Sequence, residues 1–379
     1  MEATRKQEYS TEGALYVAFE LGQRQWKLGF SVGMGQAPRE RTIDAGDLVA
    51  LGEEIRHALE KFGLRPGIAI RSCYEAGLDG FWLHRYLSAQ GIANVVVDSS
   101  SIEVDRRAKR AKTDRLDVRK LVTMLLRYHN GEAHVWKVVH VPSEQAEDQR
   151  HLHRQLLAFK RDRLRHSNRI WGALASHGVR LELGADFLEG LATARQWNGT
   201  ALPPGLQARL RREYAQLEFV REQIQELEAE RATQIASADT AEMTQVRQLL
   251  NLRGIGENSA WLLVMEFFAW REFRNRRELG GLAGLAPMPY QSGDSSREQG
   301  ISKAGNRRVR TLMIELGWCW LRYQPDSELT QWYREHFDAG GKRLHKVGIV
   351  ALARKLLVAL WRYLESGVVP AGAQLKPVS

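Results

Sequence analysis

Apolar residues recur along positions 13–98 in short runs, and this pattern predicts strands separated by helices. A helical pattern of Phe81, Leu83 and Leu87, closed by Gly91, lies between the last two strand candidates. The predicted strands are Ala14–Phe19, Trp26–Val32, Gly67–Cys73 and Ala93–Asp98. Strands that alternate with helices predict an α/β domain, which we place at residues 13–140.

Beyond Ser143 the apolar spacing becomes that of long helices. Leu157, Leu164 and Trp171 recur every seven residues, and a break at 203–205 separates them from a second series. The second series is Leu206, Leu210, Leu217, Val220, Ile224 and Leu227. The pattern predicts a coiled-coil arm at residues 141–240, either an antiparallel hairpin or a dimerisation arm, and it fits a plain two-helix extension equally well.

The last third, residues 241–379, predicts a mostly helical domain. Amphipathic helices at Val309–Tyr323 and Gly348–Leu364 follow a segment rich in glycine and serine, Gly280–Gly305, which predicts one long functional loop. The segment Leu252–Gly256, before a helix from Ser259, resembles a helix-hairpin-helix turn that contacts phosphate, and a simple helix corner fits it as well. The fold class is therefore α/β plus α, and the length of 379 residues suits two or three domains.

Positive charge is concentrated in two segments. The chain carries a net charge of +10. Residues 106–120 hold eight Lys/Arg against two Asp, and residues 271–310 hold nine against four acids, so the rest of the chain is close to neutral. Two compact basic patches predict two sites that bind phosphate groups, although basic runs are also common on solvated helix faces.

Cysteine and histidine give no sign of a disulfide framework or a zinc site. Cys73 and Cys319 are too few and too far apart, and the histidines lack partners at metal-ligand spacing. The polar first residues and the absence of a long apolar stretch predict a protein without a membrane span, and the scarcity of cysteine fits a reducing cytoplasm.

Carboxylates stand at the ends of the predicted strands, where ligands gather in open α/β sheets. Glu20 ends the first strand and Glu75 ends the third. Asp114 and Asp117, spaced i, i+3, share one face of a helix. Four carboxylates that converge would form a pocket for two Mg²⁺ (or Mn²⁺) ions, which prefer oxygen ligands and activate phosphoryl transfer. An ordinary helix N-terminus capped by Thr113 is the alternative for the two aspartates.

These four acids, with Ser99-Ser100-Ser101 and the run Arg106 to Leu121, resemble the DEDD-motif transposases of insertion sequences. That family consists of bridge-RNA-guided recombinases with an RNase H-like, RuvC-like first domain and a serine-bearing transposase domain at the C-terminus. The family's first acid is usually Asp, and this chain has Glu20, which adds one methylene to the metal ligand.

The C-terminal half of the resemblance is carried by Gly284-Leu285-Ala286-Pro287, the pair Ser292-Gly293 and the run Gly300 to Arg308. It implies that Ser292 is the catalytic nucleophile, while Ser295 and Ser296 remain rivals from the residues alone. Because no histidine lies nearby, activation by metal on the acidic domain is expected. Contacts to nucleic acid are expected from Arg106, Arg107, Lys109, Arg110, Lys112, Arg115, Arg297, Lys303, Asn306, Arg307 and Arg308.

The resemblance also implies partners: donor and target DNA, a bridge RNA encoded by the element, and a dimer of dimers. We therefore expect a transposase that cuts and rejoins DNA through a phosphoserine intermediate. Two alternatives remain open. One is a metal-dependent nuclease that uses water, and the other is a non-catalytic nucleic-acid-binding protein.

Overall fold

A computed structural model describes residues 13–377 of the protein except 78, 103–113, 133 and 293–294. For residues 100, 114–116, 289–292 and 295–299 it describes the backbone. The chain divides into two compact units, residues 1–141 and 142–379. No helix in the described part of the chain is long and apolar enough to cross a membrane. The predicted division into three domains, 13–140, 141–240 and 241–379, stays a prediction.

The first unit is built on a mixed five-stranded sheet of order β3-β2-β1-β4-β5. β1 pairs antiparallel with β2 and parallel with β4, and β2–β3 is antiparallel while β4–β5 is parallel. The elements in chain order are β1 (Leu15–Leu21), β2 (Gln25–Ser31), β3 (Arg39–Asp44), α1 (Leu48–Lys61), β4 (Ile70–Glu75), α2 (Trp82–Ala89), β5 (Ala93–Val97) and α3 (Asp114–His129).

Both faces of this sheet are covered, because side chains alternate along each strand. Val17 and Phe19 of β1 pack with Leu51 of α1 and Leu83 of α2. The intervening Tyr16 and Ala18 pack with Val118 and Leu121 of α3 on the opposite face. Helix α3 is thus the single described helix on its face of the sheet.

Helix α3 runs antiparallel to β1. Its last residue, His129, has its ring 5.8 Å from the Tyr16 ring, near the start of the strand. Its second turn lies against Gly29, the register partner of Ala18, where an added Cβ would be 3.2 Å from a methyl of Val118. The N-terminus of α3 is therefore directed toward the carboxyl end of β1.

The predicted α/β character is confirmed, and the four predicted strands and the helix α2 agree with the structure to within three residues at each end. The structure adds β3 and α1, which the apolar pattern does not predict. β3 is an edge strand in which only Ile43 is buried, so it carries little apolar signal. In α1 only Leu51 and Ala58 are buried, too few to show a helical period.

The second unit is helical apart from one hairpin in its described part. The elements are α4 (Glu144–Ala175), α5 (Phe187–Thr193), α6 (Pro204–Ser237), α7 (Ala241–Leu250), α8 (Glu257–Leu263), α9 (Arg276–Leu282), β6 (Pro287–Ser292), β7 (Ser295–Ile301), α10 (Arg307–Tyr323), α11 (Glu328–Tyr333) and α12 (Lys342–Ser366). Helices α8 and α11 each continue into a π-helical turn, at Val264–Phe268 and at Arg334–Asp338. The helices predicted at 309–323 and 348–364 are confirmed as α10 and α12.

Helices α4 and α6 form an antiparallel hairpin whose buried stripe differs from the predicted one on α4. The predicted series on α6 is buried, from Leu206 to Ile224. On α4, Leu164 and Trp171 are 59% and 48% exposed, whereas Leu156 and Ile170 are buried. The prediction for α4 is wrong because polar side chains such as Ser167 occupy part of the buried face, so the apolar heptad follows the wrong stripe.

The glycine- and serine-rich segment Gly280–Gly305 is not one long loop, which corrects the prediction. Helix α9 extends through Gly280, and β6 and β7 form an antiparallel hairpin joined by residues 293–294. The antiparallel pairing of β6 with β7 orders much of this segment, so strand pairing here outweighs the loop-forming composition.

Candidate functional site: an acidic sheet edge and a serine hairpin

Two of the predicted acidic residues lie side by side at the carboxyl end of the sheet. Glu20 is the penultimate residue of β1 and Glu75 is the last residue of β4. The parallel register pairs Phe19 with Tyr74, and its next step brings Glu20 level with Glu75. Because both follow the parity of Ala18 and Cys73, they stand on the sheet face covered by α3.

The two aspartates come to the same edge through α3. Asp114 is the first residue of this helix and Asp117 stands one turn later, and the helix N-terminus is directed toward the carboxyl end of β1. Cys73 contacts the carbonyl of Leu121 at 3.8 Å, so the turn after Asp117 lies over β4 two residues before Glu75. Two strands and one helix therefore bring all four backbone positions to one edge.

The chemistry of this edge is that of oxygen donors. The side chains of Glu20, Glu75 and Asp117 are half-buried. Lys27 is the strand neighbour of Glu20 in the register. Among the side chains that the structure describes, no group of three or more His, Cys, Asp or Glu lies close enough to hold a metal ion. The donor types fit Mg²⁺, and the carboxylates share an edge without forming a closed ligand cluster in the described part.

Most of the predicted basic run lies outside the described residues. This holds for Arg106, Arg107, Lys109, Arg110 and Lys112, and for Thr113, and Arg115 is described by its backbone alone. At the end of the run, Arg119 donates a hydrogen bond to Glu40 of the neighbouring strand. That contact fixes the first turns of α3 to the edge strand.

The predicted nucleophile stands at the tip of the hairpin in the second unit. Ser292 is the last residue of β6, and its register partner is Ser295, the first residue of β7. Ser296 pairs with Gln291 and Arg297 with Tyr290, one and two steps below the tip. The two rival serines are therefore within two register steps of Ser292.

A close crossing of two glycines fixes the base of the hairpin. Gly284 and Gly305 have φ angles of +70° and +98°. A Cβ on Gly305 would lie 2.1 Å from the carbonyl oxygen of Leu282, and one on Gly284 would lie 2.3 Å from that of Ala304. Only glycine fits either position. The glycines of the predicted motif thus hold the hairpin and the start of α10 together.

Asn306 caps α10 and joins it to the π-helical turn. Its Oδ1 accepts hydrogen bonds from the backbone N–H groups of Arg308 and Val309. Its Nδ2 donates to the carbonyl oxygen of Glu266 at 3.3 Å. Both ends of the amide are therefore engaged within the unit. Arg307, Arg308 and Lys303 are exposed around the helix N-terminus, as a phosphate-binding role requires.

A buried ion pair beneath this cap was missed by the sequence analysis. Glu266 is 2% exposed, and Arg154 of α4 donates two hydrogen bonds to its carboxylate, at 2.6 and 2.9 Å. Burial would raise the pKa of Glu266, but the hydrogen bonds and charge of Arg154 outweigh it, so this pKa lies below its ordinary value. One carboxylate inside the apolar run 261–268 is the signal that could have revealed it.

Two further polar residues of α4 are buried next to this pair. Arg150 lies over the Trp270 ring at 4.8 Å. His153 is 2% exposed, and its ring nitrogens have no hydrogen-bond partner among the described residues. Burial, reinforced by the charge of Arg231, lowers the pKa of His153 to about 4. The histidine is therefore neutral at pH 7, inside a predominantly cationic cluster.

The predicted helix-hairpin-helix turn is a corner filled by the protein itself. Gly254 has a φ of +87°, and a Cβ there would lie 3.1 Å from Cβ of Tyr323. The carbonyl oxygen of the neighbouring Arg253 accepts a hydrogen bond from the side-chain amide of Gln324, and its backbone N–H donates to the carbonyl oxygen of Gln374. Because these contacts occupy the glycine turn, the structure favours the simple corner over a phosphate site.

Comparison with known proteins gives one consistent result. Residues 246–331 match the family described as Transposase IS116/IS110/IS902 family. The chain is 41% identical over 380 residues to the putative transposase y4rJ of Sinorhizobium fredii (strain NBRC 101917 / NGR234), covering 96% of this chain and 95% of the relative. It is 30% identical over 239 residues to the transposase for insertion sequence element IS1328 of Yersinia enterocolitica, covering 61% of this chain and 68% of the relative.

Proposed function

The chain belongs to the IS116/IS110/IS902 family of transposases, and on that premise we propose that it cuts and rejoins DNA through a phosphoserine at Ser292. It acts as the transposase of an insertion sequence. The observation that carries the proposal is the placement of Glu20, Glu75 and the start of α3 at one edge of the sheet. Such an edge on a mixed sheet supports an RNase H-like, RuvC-like first domain.

The acidic edge is the proposed site of Mg²⁺ or Mn²⁺, held by Glu20, Glu75, Asp114 and Asp117. When bound, the ions lower the pKa of an attacking hydroxyl and stabilise the charge on the leaving oxygen. The residues contribute in two ways. Strands β1 and β4 hold Glu20 and Glu75 level with each other in the sheet. Helix α3 supplies the two aspartates on the same face of the sheet.

The covalent step transfers the phosphodiester to the protein. The Oγ of Ser292 loses its proton and forms a bond to phosphorus, while the bond from phosphorus to a deoxyribose oxygen breaks and that oxygen takes up a proton. A hydroxyl from another strand then attacks the phosphoserine and releases Ser292. The number of phosphoester bonds is conserved, so no external energy source is needed.

Phosphate contacts position the DNA for this step. Lys303, Arg307 and Arg308 suit that role because they are exposed beside the hairpin, and Arg297 is on β7 itself. Asn306 supports them as the α10 cap. The same role is proposed for Arg106, Arg107, Lys109, Arg110, Lys112 and Arg115, because this basic run leads directly into Asp117 in the sequence.

The proposal extends to partners by the family resemblance. A bridge RNA encoded by the element guides the choice of donor and target DNA, and the working assembly is a dimer of dimers, with the α4–α6 hairpin as a coiled-coil arm. The protein acts in the bacterial cytoplasm at the nucleoid.

Covalent trapping on DNA tests the serine mechanism. The protein is incubated with labelled DNA carrying the element ends, in the presence of Mg²⁺, and denatured gels are scanned for label on the protein. Ser292→Ala should remove the adduct, and the matched Ser295→Ala variant should retain it. Cleavage that persists in Ser292→Ala without an adduct would instead show a nuclease that uses water.

A further inference from the structure

We propose that a cavity between α9 and α12 binds an unpaired nucleotide of the cleaved DNA strand, several nucleotides away from the cleaved phosphodiester. This inference rests on the proposed function and names a contact that none of the predicted site residues makes. The cavity has a volume of about 760 Å³. Its cationic lining residues are Arg276, Arg277, Arg354, Lys355 and Arg362.

The charge of the cavity is of one sign. Its lining contains no acidic residue. None of the five cations forms an ion pair with a carboxylate in the part of the chain that the structure describes. Five cations gathered without counter-charges repel one another, and an anion between them relieves that repulsion. A phosphate chain is the anion that the activity of a transposase supplies.

Local packing gives two of these cations a fixed position. The stem of Arg354 passes over Gly280 of α9, where an added Cβ would lie 3.7 Å from Cδ of the arginine. The ammonium of Lys355 lies 4.3 Å from the centre of the Trp332 ring. Both residues are on α12, one helical turn from the apolar part of the lining. Arg354 is half-buried, and the other four cations are exposed, so a DNA phosphate can reach them.

The rest of the lining is apolar, and this argues for a single strand. Leu329, Val358 and Ala359 contribute to the walls, together with Ala286 and Pro287. A duplex presents phosphates outward and keeps its bases stacked, so its bases cannot reach an apolar wall. An unpaired nucleotide can place its base there and its phosphate among the cations, as in single-strand binding sites.

The location connects the cavity to the nucleophile. Pro287 lines the cavity and is also the first residue of β6, whose last residue is Ser292. Five residue steps along a strand span roughly 17 Å. This corresponds to about five nucleotide steps of a stacked strand. A strand held in the cavity would therefore follow the hairpin toward its tip.

Binding of a labelled 12-nucleotide DNA strand tests the inference. Affinity is measured between 50 and 300 mM salt without divalent metal, so that the result does not depend on adduct formation. Arg277→Gln/Arg354→Gln should weaken binding about tenfold at low salt and reduce the slope of log affinity against log salt by about 1.4, which is ~0.7 for each lost phosphate contact.

The matched control is Arg343→Gln/Lys346→Gln, which removes the same charge from exposed positions of α12 outside the cavity. It should leave the slope unchanged. Ala359→Trp fills the apolar wall, so it should weaken binding while the slope stays as in the parent protein, since the cations remain. Thermal unfolding of each variant establishes that it is folded.

Three results would overturn the inference. One is an equal loss in the cavity pair and the control pair. Another is an equal loss of single-stranded and duplex DNA binding, and the third is a loss confined to an RNA strand of the same sequence. Failure of the proposed function would be recognised by a different result: the parent protein would form no serine adduct but would still bind the DNA strand.

Discussion

The acidic edge and the serine hairpin are supported in opposite ways by the structure around them. The edge consists of central strands β1 and β4 and of α3, each packed into a buried core. The hairpin has two strands, and no other strand in the described part of the chain pairs with it. Two-stranded hairpins are only marginally stable alone, so its base, fixed by the Gly284–Gly305 crossing, provides its position.

The difference indicates how firmly the surrounding structure fixes each of the two proposed sites. The proposed metal ligands require fixed positions before substrate arrives, and a sheet edge provides such positions. The proposed nucleophile, at a hairpin tip, can adjust its position to the DNA. Loss of a carboxylate should therefore alter chemistry alone, whereas changes under the hairpin should alter stability as well.

The largest effect is expected from Asp117→Asn. The substitution keeps the shape of the side chain and removes the charge that would hold Mg²⁺, so the cleavage rate should fall on the order of a thousandfold. Initial rates at several Mg²⁺ concentrations measure it. Glu60→Gln, at an exposed carboxylate of α1, is the control and should cleave normally. An unchanged rate in Asp117→Asn would leave the edge with a structural role only.

Arg154→Ala should produce the largest loss of stability. It leaves Glu266 buried without its partner, which costs roughly 3–5 kcal/mol in free energy of unfolding. Hydrogen exchange should show the loss in peptides of residues 142–379, with residues 13–141 unaffected. Replacing both partners by leucine should restore much of it. If Arg154→Ala unfolds like the parent protein, the pair does not hold α4 to the π-helical turn.

Acid should weaken the same region through His153. Its pKa of about 4 in the folded protein lies below its ordinary value of 6.5, so the unfolded chain binds the proton first. Neutral His153 therefore contributes to the free energy of unfolding. This contribution is fully present above pH 6.5, and it is lost as the pH falls toward 4, by on the order of 3 kcal/mol. Urea unfolding of the parent and of His153→Gln measures it. Parallel pH profiles of the two proteins would contradict the prediction.

The smallest effect is expected where α3 crosses the sheet. Gly29→Ala would place a Cβ 2.7 Å from a methyl group of Val122, so α3 must shift by a few tenths of an ångström at a cost of about 1 kcal/mol. The cleavage rate should fall clearly while the free energy of unfolding changes little, because Asp117 moves with the helix. Gly52→Ala meets no atom within 4 Å and serves as the control. Thermal unfolding and cleavage rates are measured together.

Sequence patterns predicted the parts of the fold in which burial and apolar character coincide. The strands β1, β2, β4 and β5 are examples, as are α10 and α12. The predictions failed where polar residues are buried or apolar ones exposed. On α4, the buried Ser167 and the exposed Trp171 misplace the apolar stripe, and the polar edge strand β3 gives no signal at all.

For the candidate site, the sequence indicated carboxylates at strand ends but could not show how α3 reaches the same edge. Strand ends implied the positions of Glu20 and Glu75, while the antiparallel direction of α3 depends on long-range packing at Gly29 and Tyr16. The Arg154–Glu266 pair joins residues 112 positions apart, and no local pattern links them. Ser292 stays a prediction from family resemblance.

The π-helical turn at Val264–Phe268 makes this stretch sensitive to the number of its residues. Its turn is one residue wider than an α-helical turn, and Glu266 is in its middle. Deleting one residue upstream within the turn would restore α-helical winding and rotate Glu266 by about 100° relative to the preceding helix. The carboxylate would then leave Arg154, and its carbonyl would leave Asn306. Amino-acid substitutions preserve the number of residues in this segment. Deletion of a single codon, by contrast, would separate α4, the Asn306 cap of α10 and the base of the β6–β7 hairpin from one another at once.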